Sequence, residues 1–137
     1  MIQNTVIFED GDFIVSHNIK PILIGKHSIS TKDNLAIRER FEYVTYEDAR
    51  IDIRYLISFV KSSIIILESE INYSATRLDG IELSKKDKIE RIKNSGEILW
   101  EIVTKKVNST LKTQLDFQPL SENDILEQLQ KSELRKN

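Results

Sequence analysis

Between Thr45 and Leu78 the chain runs for 34 residues without a glycine or a proline. A stretch this long with no backbone breaker has to form long regular elements, so it constrains the fold more than any other segment. Ile57, Val60, Ile64, Leu67, Ile71, Ser74 and Leu78 recur at alternating steps of three and four residues. A helix would gather them on one seam, interrupted only by Ser74. Tyr55, Phe59, Ile66 and Tyr73 form a second line on the same cylinder, leaving Glu47, Arg54, Lys61 and Glu68 as the water-facing stripe. The spacing therefore predicts a helix over 45–78. Thr45 with Asp48 in capping-box position would open it, and Asp79-Gly80 would stop it.

The flanking segments read as smaller elements. Thr5 to Phe8 and Phe13 to Val15 are β-branched or aromatic runs around Glu9-Asp10-Gly11-Asp12, whose Asp-Gly suits a two-residue type I′ turn. Ile22 to Ile24 follows Pro21 as an edge strand or a bend. Residues 31–44 allow two readings: a short helix capped by Ser30 and Asp33, or a strand in which Ile37, Glu39, Phe41 and Tyr43 alternate with Arg38, Arg40 and Glu42. Aromatic content favours the strand. Ser84 with Asp87 opens a second helix running to about Leu115, with Asn94-Ser95-Gly96 as its weak point. Ser121 with Asp124, flanked by Leu120 and Ile125 as a hydrophobic staple, opens a short third helix.

These elements imply one α+β domain over 1–137: a small N-terminal antiparallel sheet of three or four strands over 1–44, a long antiparallel helical hairpin over 45–115, and a short helix and tail over 116–137. A 34-residue helix is about 50 Å long, whereas a compact chain of 137 residues has a radius of gyration of about 14 Å. The hairpin would overhang, and apolar residues on two of its flanks would need a second copy or another protein. The expected assembly is a symmetric homo-oligomer, with Tyr55, Phe59, Ile66 and Tyr73 at the oligomer or partner interface.

Composition excludes several chemistries. The chain has no cysteine, which removes disulfides, thiolate nucleophiles and Cys-containing zinc sites. Its longest apolar run, Ile64 to Leu67, is far too short to cross a membrane, and the first residues lack a signal-peptide pattern, so a cytoplasmic protein is expected. His17 and His27, with Asp10 or Asp12, make a poor metal set at no recognised spacing, so no metal or other cofactor is expected. The four glycines are scattered, and no hydroxyl stands in a nucleophile context. An acidic set of Asp10, Glu39 and Asp52 could be assembled, but 22 acidic residues permit many such choices. No catalytic residue is assigned.

Net charge is −2, yet residues 84–115 hold eight basic and four acidic groups. Lys85, Lys86, Lys88, Arg91, Lys93, Lys105 and Lys106 could face phosphates, but Asp87, Glu90, Glu97 and Glu101 interleave, which makes nucleic acid the weaker partner. Arg40, Arg50, Arg54 and Tyr43 lie near the sheet-to-helix junction and could hold a small anion such as a nucleotide at a subunit interface. The function expected is a non-catalytic, oligomeric protein-binding module, an inhibitor or adaptor of the kind phages and other mobile elements encode. The alternatives are sequestration of that anion and nucleic-acid binding through the second helix.

Overall fold

Residues 51 to 59 place Ile51, Ile53, Tyr55, Ile57 and Phe59 at every second position, with Asp52, Arg54, Leu56 and Ser58 between them. That period of two, not the helical seam, decides the architecture. The computed structural model describes residues 5–20, 23–24, 36–61, 64–111 and 120–135. Six strands form one antiparallel sheet: β1 (Val6–Asp10), β2 (Phe13–Ile19), β3 (Leu23–Ile24), β4 (Ala36–Tyr46), β5 (Arg50–Lys61) and β6 (Ile64–Arg77). Helices α1 (Lys85–Leu111) and α2 (Glu122–Arg135) follow. The strand order is β1-β2-β6-β5-β4, with β3 pairing β6.

The helix expected over 45–78 is therefore corrected to the end of β4, a turn, and a long β5–β6 hairpin in which Lys61 lies opposite Ile64. There is no helical hairpin and no coiled-coil seam among the described residues, and the β layer extends to Arg77. The physical reason lies in side-chain type and in pairing. Isoleucines and aromatics lose rotamer freedom in a helix but pack well on a pleated surface. Register then places Tyr55 opposite Ile71, Ile53 opposite Tyr73, and Phe59 opposite Leu67. Residues from the two apolar lines of the supposed helix thus share one face of a sheet. The overhang vanishes, and with it the geometric reason for a second copy.

Turn chemistry holds the strands in register. Gly11, at φ 59°, is the first of the two residues linking β1 to β2, and Asp12 keeps a negative φ. This is the pattern of a type II′ turn, one residue later than the expected type I′ turn. Thr45 and Asp48 do not cap a helix: residues 47–49 join β4 to β5, and Ala49 takes φ 60°. Buried Ala49 holds this left-handed conformation while its carbonyl accepts a hydrogen bond from the Arg77 amide at 3.0 Å. The β5–β6 register shifts between Phe59 and Val60: Phe59 lies opposite Leu67 and Val60 opposite Ile65, so the extra residue, Ile66, is on β6, and β5 keeps its alternation against β4.

Both helices cover the face built from the odd-numbered residues of β2, β4, β5 and β6. Ser84 and Asp87 form a reciprocal capping box on α1, with the Asp87 amide donating to Ser84 Oγ at 3.1 Å and the Ser84 amide to Asp87 at 2.9 Å. Ser121 and Asp124 repeat it on α2 at 3.3 and 3.2 Å. Ile92, Leu99, Trp100 and Val103 of α1 and Ile125 and Leu129 of α2 join the sheet's core. Gly96 is the point of closest approach: a Cβ there would stand 2.8 Å from Tyr55 Cζ. The residue expected as a weak point of the helix is the one that lets the helix lie on the sheet.

Candidate functional site

The sheet's other face carries no helix among the described residues, and its side chains form cross-strand rows. Asn18, Asn72, Arg54 and Glu42 make one row, Ser16, Ser74, Asp52 and Val44 the next, and Ile14, Thr76, Arg50 and Tyr46 the third. A trough of about 430 Å³ runs over them, lined in part by Asn18, Glu42, Arg50, Arg54 and Asn72. Alternation in β5 and β6 is what puts polar groups here, since every residue between two core positions must face outward.

Electrostatics within the trough are largely settled by the chain itself. Glu70, next along β6 from the Asn72 row, is buried, with its carboxylate 2.7 Å from Lys20 Nζ and accepting a short hydrogen bond from Arg54 Nε. Burial alone would raise the Glu70 carboxyl, but the hydrogen bonds from Lys20 and Arg54 outweigh it and hold the group below the usual carboxylate range. Arg54 Nη1 also lies 3.7 Å from Glu42. Arg50 stands 3.6 Å from Asp52 and stacks over the Tyr46 ring at 4.0 Å. Ser74 Oγ donates to Asp52 at 2.8 Å, and Asn72 Nδ2 to Asn18 at 3.4 Å. Four apolar side chains on this face are exposed at one end: Ile7, Ile14, Val44 and Tyr46.

Two polar constellations lie under the helices instead. Glu39 accepts hydrogen bonds from Tyr55 Oη at 2.9 Å and, at short range, from Trp100 Nε1. Burial raises the Glu39 carboxyl, and the two neutral donors only partly offset that; burial and the nearby Glu39 charge push the Tyr55 phenol up. Tyr73 Oη donates to Asn94 at 2.7 Å and accepts from buried Arg91 at 3.3 Å, while Arg91 also pairs with Asp10 at 2.8 Å. Desolvation pushes the Tyr73 phenol up to about 12. His17, the cross-strand neighbour of Tyr73, is buried against Phe8, and its pKa is lowered by burial. Glu39 was visible in sequence as an acid within the row Ile37, Glu39, Phe41, Tyr43; its partners, 16 and 61 residues away, were not.

Of the anion-binding set, Arg50, Arg54 and Tyr43 line the same trough, while Arg40 lines a separate groove of about 580 Å³ with Arg38, Ser58 and Glu68. Of the interface set, Tyr55, Phe59 and Tyr73 are buried in the core beneath the helices. Ile66 belongs to β6, and its side chain lies outside the described set. The acids Asp10, Glu39 and Asp52 are dispersed: the first pairs with Arg91, the second with Trp100, and the third sits on the open face. His27 lies outside the described residues, among which no cluster of three or more metal-binding side chains occurs. Of the basic residues of α1, Arg91 is buried, Lys93 lies 3.5 Å from Glu122, and Lys105 lies 3.2 Å from Glu101, while Lys85, Lys86 and Lys106 are exposed.

No described helix is long and apolar enough to cross a membrane. No protein-family model matches the chain, and neither does any curated protein.

Proposed function

We propose that this chain is a non-catalytic, cytoplasmic protein-binding module, an inhibitor or adaptor, whose working surface is the open face of the sheet. The observation that carries this reading is the Tyr46–Arg50 stack, part-exposed near Val44 on β4, with Ile14 two strands from Arg50 in the same cross-strand row. Tyrosine and arginine next to apolar side chains are the usual anchors of protein interfaces, because each buries a large surface and still offers a polar tip. The rest of the face supplies a hydrogen-bonding rim of mixed charge, suited to a partner that presents both signs.

The small-anion reading has one feature in its favour, the presence of Arg50 and Arg54 in one trough. Both guanidiniums already face carboxylates, Asp52 for the first and Glu70 with Glu42 for the second. An incoming phosphate would have to compete with charges fixed in the fold, and this places protein ahead of nucleotide. Affinity capture from the native host with native mass spectrometry tests the choice. A protein retained by the wild type and by Lys106→Ala, but lost with Tyr46→Ala and Arg50→Ala, is the expected result. A copurified nucleotide lost with Arg54→Ala would establish the alternative.

A further inference from the structure

Strand β4 closes one end of the sheet, and no described strand pairs with its outer edge. It is 11 residues long, Ala36–Tyr46, with no glycine, no proline and no bulge against β5. With no described strand beside it, such an edge can offer its outward amides and carbonyls to another strand, and sheets usually guard a free edge by shortening, bending, covering or charging it. Its open-face residues, Arg38, Arg40, Glu42, Val44 and Tyr46, are exposed. Arg38 and Arg40 have no charged or hydrogen-bonding partner among the described residues.

From this edge we infer that two copies of the chain pair through β4, antiparallel and about a two-fold axis at Phe41. A two-fold axis normal to the sheet keeps the open faces of both copies on the same side, so a residue can oppose only one of its own parity and the axis must pass through a residue. Phe41 is the midpoint of Ala36–Tyr46, so this register alone pairs the strand along its whole length. It also sets Arg40 opposite the partner's Glu42, and Glu42 opposite the partner's Arg40, two complementary pairs with no like-charge contact. Centring on Arg38, Arg40 or Glu42 opposes each to itself, and centring on Glu39 opposes Arg38 to the partner's Arg40. Charge and overlap select the same register, and main-chain hydrogen bonds would supply the bulk of the contact. The pairing joins the two sheets into one, and it brings the partner's Arg40 beside Glu42 at the wall of the trough. This inference does not depend on what the open face binds.

Charge reversal tests it on the full chain. At low salt, sedimentation equilibrium should give a dimer for the wild type at micromolar concentration. Arg40→Glu and Glu42→Arg should each weaken self-association roughly tenfold or more, because like charges then meet across the axis twice. Their circular dichroism should stay that of the wild type, since both positions are exposed. Mixing the two variants should restore dimer, and native mass spectrometry should find it to be the mixed species, in which every cross-axis pair is again complementary. A monomeric wild type, or single variants that dimerise as well as the wild type, would overturn the inference.

Discussion

Two glutamates, one on each face of the same sheet, meet burial in opposite ways. Glu39 points under the helices and is held by two neutral donors, the Tyr55 hydroxyl and the Trp100 indole, and its carboxyl is raised. Glu70 points to the open face and is held by two cations, and its carboxyl is lowered despite desolvation that works to raise it. The difference teaches that hydrogen bonds without charge satisfy a buried carboxylate geometrically but do not repay its lost hydration, whereas cations do both. The covered face is thereby built for packing. The open face keeps paired charges close to solvent.

The covered face should be the more sensitive by far. Trp100→Ala removes a fully buried ring packed 6.0 Å from Phe59 and strips Glu39 of a donor. A loss of about 3–5 kcal/mol in urea unfolding is expected. Gly96→Ala comes next: the new methyl meets the Tyr55 ring at 2.8 Å, and overpacking of about 1–3 kcal/mol outweighs the helix propensity gained, which is about 1 kcal/mol. A Gly96→Ala variant more stable than the wild type would show that the helix can rise off the sheet at little cost.

The glutamates sharpen the comparison through pH. Glu70→Gln should cost about 1 kcal/mol at neutral pH, a modest figure because Lys20 and Arg54 are about half exposed. The lowered carboxyl means that the unfolded chain binds the proton first. Glu70 therefore stabilises the fold above the ordinary carboxylate range, and that contribution is lost as pH falls through its folded-state pKa. Glu39→Gln should have the smallest effect near neutrality, within about 1 kcal/mol of zero, because the amide keeps an acceptor for both donors and removes a poorly hydrated charge. Here the sign reverses. With its carboxyl raised, Glu39 favours the fold at low pH and does so less as pH climbs from the ordinary carboxylate range through its folded-state pKa. Unfolding curves from pH 3 to 8 should show Glu70→Gln flattening the rising limb and Glu39→Gln flattening a falling one; the same slope change in both would break the contrast between the faces.

Local chemistry was legible wherever a few adjacent residues carried the whole signal. The capping boxes at Ser84 with Asp87 and Ser121 with Asp124 are present as reciprocal hydrogen bonds, since both partners lie within one turn. The glycine at position 11 marked a hairpin, although the turn slid by one residue. Between 45 and 78 the reading failed because two periods were superimposed. Ile57, Val60, Ile64, Leu67 and Ile71 satisfy helical spacing, while residues 51 to 59 satisfy strand spacing, and no glycine or proline marks the turns. Ala49 at φ 60° stands where glycine would have given that turn away. The open-face trough was partly legible, because Arg50, Arg54 and Tyr43 are near one another in sequence; Asn18 and Asn72 joined them only through β-pairing.

The amino-acid sequence alone determined the capped helix starts, the β1–β2 hairpin and the absence of thiol chemistry, because each depends on residue identity over a few positions. Tertiary structure decided the rest: that the central segment is a strand pair, that Glu39 meets Trp100, and that Gly96 is needed for contact with Tyr55. A period of two and a period of 3.6 can both be written in the same isoleucines. What selects between them is long-range pairing, which buries Tyr55, Ile57, Phe59, Leu67, Ile71 and Tyr73 on one face and satisfies the backbone across strands that no local window contains.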